Sequence, residues 1–228
     1  AALIGGGRIP SPGEATLAHG GVLFLDELAE FPRGVLEVLR QPLEEKCIHL
    51  ARQQGAYIFP ADFMLVAATN PCPCGMAPGP QCTCTPGQIR NYQGKLSQPF
   101  LDRIDICMET PKVEYRDIST TAENESSAAI RERVEAARRI QKKRYEHCTW
   151  QYNSHLKAAA LREFCSLETR EQRIMELAFE RMNLSARGYH RIIKVARTIA
   201  DLEGEENIRE PHLLEAIGYR SADQKIWE

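Results

Sequence analysis

The sequence predicts an α/β chain in which strands come first, forming a parallel sheet, and an all-helical region follows. Three observations carry this. Two wholly apolar runs, Val22-Leu23-Phe24-Leu25 and Phe63-Met64-Leu65-Val66-Ala67-Ala68, each end in polar residues. Such runs predict short strands buried on both faces. Helical and hairpin patterns separate them, and from about residue 113 strand signals stop and helical spacing takes over.

The 228 residues, 43% hydrophobic and 26% charged, suit one large domain or a large and a small one. A formal net charge of −2 offers no global electrostatic case for nucleic acid. No apolar run approaches the ~20 residues that span a bilayer, so no membrane partner is expected. The opening Ala1-Ala2-Leu3-Ile4-Gly5 has neither an initiator Met nor a charged leader. It reads as part of something longer rather than as a signal peptide, and the expected location is cytoplasmic.

Taken in order, residues 1–19 are rich in Gly and Pro and predict a loop with a short helix, Glu14 to Ala18, closed by Gly20-Gly21. After the Val22 strand, Pro32 and the spacing Val35, Leu36, Leu39, Leu43 predict a helix over 33–45. Cys47 to Leu50 and Tyr57 to Phe59 form a hairpin pattern with Gln53-Gln54-Gly55 near its turn. The Phe63 strand ends in Thr69-Asn70-Pro71. A helix is expected around Ile89–Leu96 and a third strand over Ile104–Met108. Residues 117–127 are a polar linker or cap. Helices are expected from Ile130 to Arg144 and over 155–165, 169–182, 185–203 and 211–219. Gly204 is a helix stop, and Pro211 opens the last helix.

Of eight cysteines, four cluster as Cys72, Cys74, Cys82 and Cys84. The stretch around them, 71–87, holds five prolines and three glycines, which favours a structured loop. In a reducing compartment a tight cluster favours a metal over disulfides. Four thiolates suit tetrahedral Zn²⁺ in a structural role, although the one-residue spacing within each pair is tighter than the usual C-x₂₋₄-C; reduced thiols in a loop are the alternative.

These motifs, in this order, resemble the magnesium chelatase ATPase subunit family of AAA+ proteins, in its ComM/YifB-like branch. Gly20-Gly21-Val22-Leu23-Phe24-Leu25-Asp26-Glu27 resembles a Walker B strand and Thr69-Asn70-Pro71 a sensor 1. Leu96 to Asp105 resembles an arginine-finger segment, and Leu184-Ser185-Ala186-Arg187-Gly188 a sensor 2 in a helical lid. Pro12-Gly13-Glu14 and the closing Glu215 to Arg220 also fit that branch. The resemblance implies a partial AAA+ core over 1–115, a three-layer α/β/α arrangement, and an all-α lid over 116–228. The family's phosphate loop, Gly-x-x-x-x-Gly-Lys-Ser/Thr, is not in this sequence; Gly5-Gly6-Gly7-Arg8 is the nearest glycine cluster. The expectation is that it lies upstream, and that these residues alone bind ATP poorly and do not hydrolyse it.

By resemblance, Asp26 holds Mg²⁺ through water and Glu27 acts as general base on the attacking water. Asn70 bonds the γ-phosphate and that water. Arg103 reaches a neighbouring subunit's nucleotide in a ring, a hexamer, because a guanidinium forks onto phosphate oxygens. Arg187 contacts nucleotide, with Arg191 in reserve among the basic residues Lys194 and Arg197. Each has a plainer alternative: solvated strand-end acids, an Asn capping a turn, or Arg103 paired with Asp102 or Asp105. Arg52, Gln53 and Gln54 at the hairpin tip would face the ring pore and touch a polymer such as DNA. The seven basic residues over Arg131–Arg144 alternate with Glu132 and Glu135 and read as a solvated face. The expected function is an ATP-driven ring motor that remodels DNA. The alternatives are a chelatase motor inserting magnesium into a porphyrin, or a non-catalytic zinc-binding assembly module.

Overall fold

The computed structural model describes residues 2–52, 55–110 and 125–225. The chain divides into two compact units, Ala1–Ile104 and Asp105–Lys225.

The first unit opens with a tight antiparallel pair, β1 (Gly5–Gly6) and β2 (Ser11–Pro12). A Cβ on Gly5 would lie 2.2 Å from the Ser11 carbonyl oxygen, so only glycine lets the backbones approach this closely. Helix α1 (Glu14–Leu17) leads into β3 (Val22–Leu25). Two short helices, α2 (Arg33–Val38) and α3 (Arg40–Glu45), follow where one helix was expected. Pro42 explains the break at Leu39: it lacks the N–H that would bond the Val38 carbonyl, and its ring crowds that carbonyl. Then come the antiparallel hairpin β4 (Cys47–Arg52) and β5 (Gly55–Pro60), paired from Cys47↔Pro60 to Arg52↔Gly55, and β6 (Met64–Ala67).

Strand β6 returns parallel to β3 with Val22 opposite Met64 and Leu25 opposite Ala67. The α/β class and parallel pairing are therefore as the sequence predicts. Burial is not. Leu23 and Leu25 are buried, but Val22, Phe24, Met64 and Val66 are exposed. Strand side chains alternate between faces. One face packs on Leu36, Leu39, Phe63, Phe100 and Leu101; the other has no cover among the described residues. Helices α4 (Pro86–Gln93) and α5 (Gln98–Leu101) complete the unit. Thr85 and Gln88 form a capping box on α4, two reciprocal bonds that fix its start.

The expected third strand over Ile104–Met108 is not a strand. The Cys107 N–H bonds the Tyr219 carbonyl on a helix instead, 2.9 Å away, so no strand ladder uses it. The second unit is otherwise helical: α6 (Ser127–Arg144), α7 (Ala158–Phe164), α8 (Thr169–Arg181), α9 (Ala186–Glu203) and α10 (Glu210–Lys225). Helix α9 is central and packs against α6, α7 and α10. It ends at Gly204, whose φ of 76° is the left-handed C-cap geometry glycine adopts without strain. No helix among the described residues is long and apolar enough to cross a membrane.

Candidate functional site at the ends of two parallel strands

The parallel register brings the sequence-predicted acids and amide to one end of one sheet. Leu25 lies opposite Ala67, so Asp26-Glu27 and Thr69-Asn70 leave the carboxyl ends of adjacent strands together. The ladder closes with Ala68 N–H bonding Leu25 O at 3.0 Å and Leu28 N–H bonding Ala68 O at 2.8 Å. Carboxyl ends of parallel strands are where ligands bind in open α/β sheets.

Glu27 is held in the left-handed region, at φ 50° and ψ 47°. For a residue with a Cβ this costs about 1–2 kcal/mol. The following 3-10 turn, Leu28–Glu30, fixes it through Glu30 N–H bonding the Glu27 carbonyl at 2.7 Å. Strain of this kind clusters at functional sites. The Glu27 N–H also bonds Asp26 Oδ1 at 2.8 Å, orienting that carboxylate. Both acids are exposed.

Sequence reasoning missed Tyr92. This buried α4 residue hydrogen-bonds Thr69 and stands beside Glu30 and Glu27. Burial, with those two acids, pushes its phenol above the ordinary value. Lys95 lies over the Tyr92 ring and 3.8 Å from Glu30. Spacing on α4 could show that Tyr92 points inward, but not what it meets there.

Arg103, the residue of the arginine-finger resemblance, points into its own unit. It is 7% exposed, pairs with Glu44 at 2.8 Å and donates to the Pro99 carbonyl. Its Nε has no hydrogen-bond partner among the described residues. Nearby, Ser97 and Arg40 both donate to Glu37 and hold its carboxyl below the ordinary range.

Arg187 sits in the first turn of α9, where Ser185 caps the helix by accepting from the Gly188 N–H at 3.0 Å, and its side chain is exposed. The neighbouring cations are engaged elsewhere. Arg191 pairs with Asp105, Lys194 donates to the Ser154 carbonyl at 2.9 Å, and Arg197 is buried against Asp201. At the hairpin tip, Gln53, Gln54 and the Arg52 side chain lie outside the described residues.

The four clustered cysteines converge. Cys72 Sγ lies 3.4 Å from Cys74 Sγ and 3.8 Å from Cys82 Sγ, and Cys74 and Cys82 are 3.6 Å apart. All four sulfurs lie within 4.8 Å of one another. The backbone N–H groups of Met76 and Thr83 pull the Cys74 thiol down to about 5, and desolvation pushes Cys84 up to about 12.

A parallel β pair with acids and an amide at its carboxyl end, followed by a helical region, fits the arrangement of an AAA+-type protein. Sequence comparison gives the particular family. Residues 1–118 match the family model described as magnesium chelatase, subunit ChlI, and residues 124–220 match its C-terminal counterpart. The chain belongs to the magnesium chelatase subunit ChlI family. Its curated relatives include the competence protein ComM of Haemophilus influenzae, 47% identical over 221 residues, covering 96% of this chain and 43% of ComM. Escherichia coli K12 YifB is 45% identical over 226 residues, covering 99% and 44%. YifB of Salmonella typhimurium LT2 is 43% identical over 226 residues, with the same coverage of 99% and 44%. The chain thus spans less than half the length of these relatives.

Proposed function

We propose that these residues are the catalytic-acid, sensor and lid portions of an ATP-hydrolysing ring motor. The observation that carries this is the strand-end constellation: Asp26 and Glu27 beside Asn70, with Glu27 held in strained backbone. Asp26 fits magnesium, because a hard cation takes oxygen ligands and this carboxylate is exposed and oriented by the Glu27 N–H. When bound, Mg²⁺ neutralises triphosphate charge. Glu27 takes the proton from the attacking water, and the Asn70 amide aligns that water with the terminal phosphate. Arg187 supplies a guanidinium to phosphate oxygens. Arg103 does so in trans, between the subunits of a hexameric ring, and to do this it has to leave Glu44. The phosphate-gripping loop of such a motor, Gly-x-x-x-x-Gly-Lys-Ser/Thr, does not occur in these 228 residues. Action on DNA rests on the family resemblance and on a relative named as a competence protein.

The test is ATP turnover by the intact protein with and without single- and double-stranded DNA. Glu27→Gln should lower kcat by about 10²-fold or more, the usual share of a general base, while ATP binding persists. DNA should stimulate turnover. Unchanged turnover in the Glu27→Gln protein would sink the catalytic reading. The family's description as a magnesium chelatase subunit favours a second reading, a motor for magnesium insertion into a porphyrin. Stimulation by a porphyrin-binding partner rather than by DNA would select it.

A further inference from the structure

The loop over 71–85 joins β6 to α4 and has no helix or strand of its own. Cys72 is its one buried residue. Ordering each residue of a chain costs about 1–2 kcal/mol of backbone entropy, and one buried side chain does not offset that over such a length. Yet the loop's four sulfurs meet at one point.

Their spacing has a specific meaning. Four thiolates at about 2.3 Å from a tetrahedral Zn²⁺ stand about 3.8 Å apart. The separations among Cys72, Cys74 and Cys82 are 3.4, 3.6 and 3.8 Å. Backbone N–H groups already point at the sulfurs. Those of Met76 and Ala77 reach Cys72, those of Met76 and Thr83 reach Cys74, and that of Cys84 reaches Cys82. Such N–H···S bonds orient and stabilise metal-bound thiolates. The Gly75 N–H bonds the Cys72 carbonyl at 2.9 Å and closes a turn over Cys72–Gly75, with Gly75 itself at φ 75°.

We propose that Cys72, Cys74, Cys82 and Cys84 bind one Zn²⁺ in a closed four-thiolate site that holds the loop in shape. Four protein ligands leave no open position, so the site is structural rather than catalytic. Oxygen-seeking cations such as Mg²⁺ and Ca²⁺ are excluded by the ligand type. The loop's shape matters to its neighbours. Gly75 backs onto the Asn70 side chain, and Gln93 of α4 donates to the Pro71 carbonyl at 3.0 Å. The zinc loop therefore also positions Asn70. This second statement rests on the proposed role of Asn70; the metal site itself does not.

The test is metal analysis of the protein purified under reducing conditions without chelator, then of the protein reconstituted with Zn²⁺. One zinc per chain is expected. Cobalt exchanged into the site should show tetrahedral d–d bands and thiolate-to-cobalt charge transfer, and four thiols should resist alkylation until a chelator is added. Cys82→Ser with Cys84→Ser should lose the zinc, while Cys148→Ala keeps it. Well below one zinc per chain after reconstitution, or stoichiometric iron, would overturn the proposal. So would zinc that survives the double substitution and vanishes on His49→Ala, because Glu45, Cys47 and His49 form a second, exposed cluster. None of these readouts depends on ATP, so failure of the metal site and failure of the motor reading are separable.

Discussion

At the residue scale, the helical unit turns on Asp201. This buried carboxylate binds Arg144 at 2.9 Å, Asn153 Nδ2 at 2.8 Å and Arg197 Nε at 3.1 Å. Tyr145 donates to Asn153 at 2.7 Å, and Arg197 also donates to the carbonyls of Glu205 and Glu206. Removing the anion strands a buried guanidinium. Asp201→Ala should therefore destabilise the unit by about 3–5 kcal/mol, read by urea unfolding. Close by, burial pushes the Cys165 thiol up to about 11, from an ordinary value of 9.0. Between those values the unfolded chain gives up a proton that the folded chain keeps. Stability is thus fully present below pH 9 and falls as pH rises toward about 11, by up to about 1.4 kcal/mol per pH unit in that window. Cys165→Ala should flatten this share of the alkaline melting profile monitored by circular dichroism.

At the scale of elements, caps fix where helices start. Ser185 closes the first turn of α9 through the Gly188 N–H, and α9 packs against α6, α7 and α10. Ser185→Ala should cost about 1 kcal/mol in chemical denaturation. The same substitution loosens the turn that carries Arg187, so under the motor function we propose the KM for ATP should rise more than kcat falls. The kink between α2 and α3 shows a local rule acting inside a longer pattern. Apolar spacing from Val35 to Leu43 signals one helix, and Pro42 divides it. That break was legible in the sequence, because a proline ring's clash is local.

At the scale of the whole molecule, the β3–β6 pair has a bare apolar face and no further strand among the described residues. Val22, Phe24, Met64 and Val66 share that face by register and alternation. Exposed apolar sheet faces and open edges drive association. The isolated 228 residues should self-associate with concentration and bind a hydrophobic dye. Phe24→Lys should reduce both, measured by light scattering and fluorescence. Monomeric behaviour of the unsubstituted chain at high concentration would show that the face is covered.

The sequence by itself determined most of the elements and which acid, amide and thiol residues they carry. Apolar runs, glycine stops, proline starts and strand-end acids depend on neighbours a few residues away, so β3, β6, α9 and the pair Asp26-Glu27 could be read directly. It also determined that four cysteines fall in one loop. Tertiary structure alone decided three things. The parallel register put Thr69-Asn70 at the same sheet end as Asp26 and Glu27, across a long stretch of chain. Packing folded Arg103 back onto Glu44 and buried Tyr92 beside Thr69. Burial separated the faces of β3, leaving Phe24 outside while Leu25 is inside. Each of these depends on contacts between residues far apart in sequence, and no local pattern of side chains encodes which distant group a buried charge or an apolar face will meet.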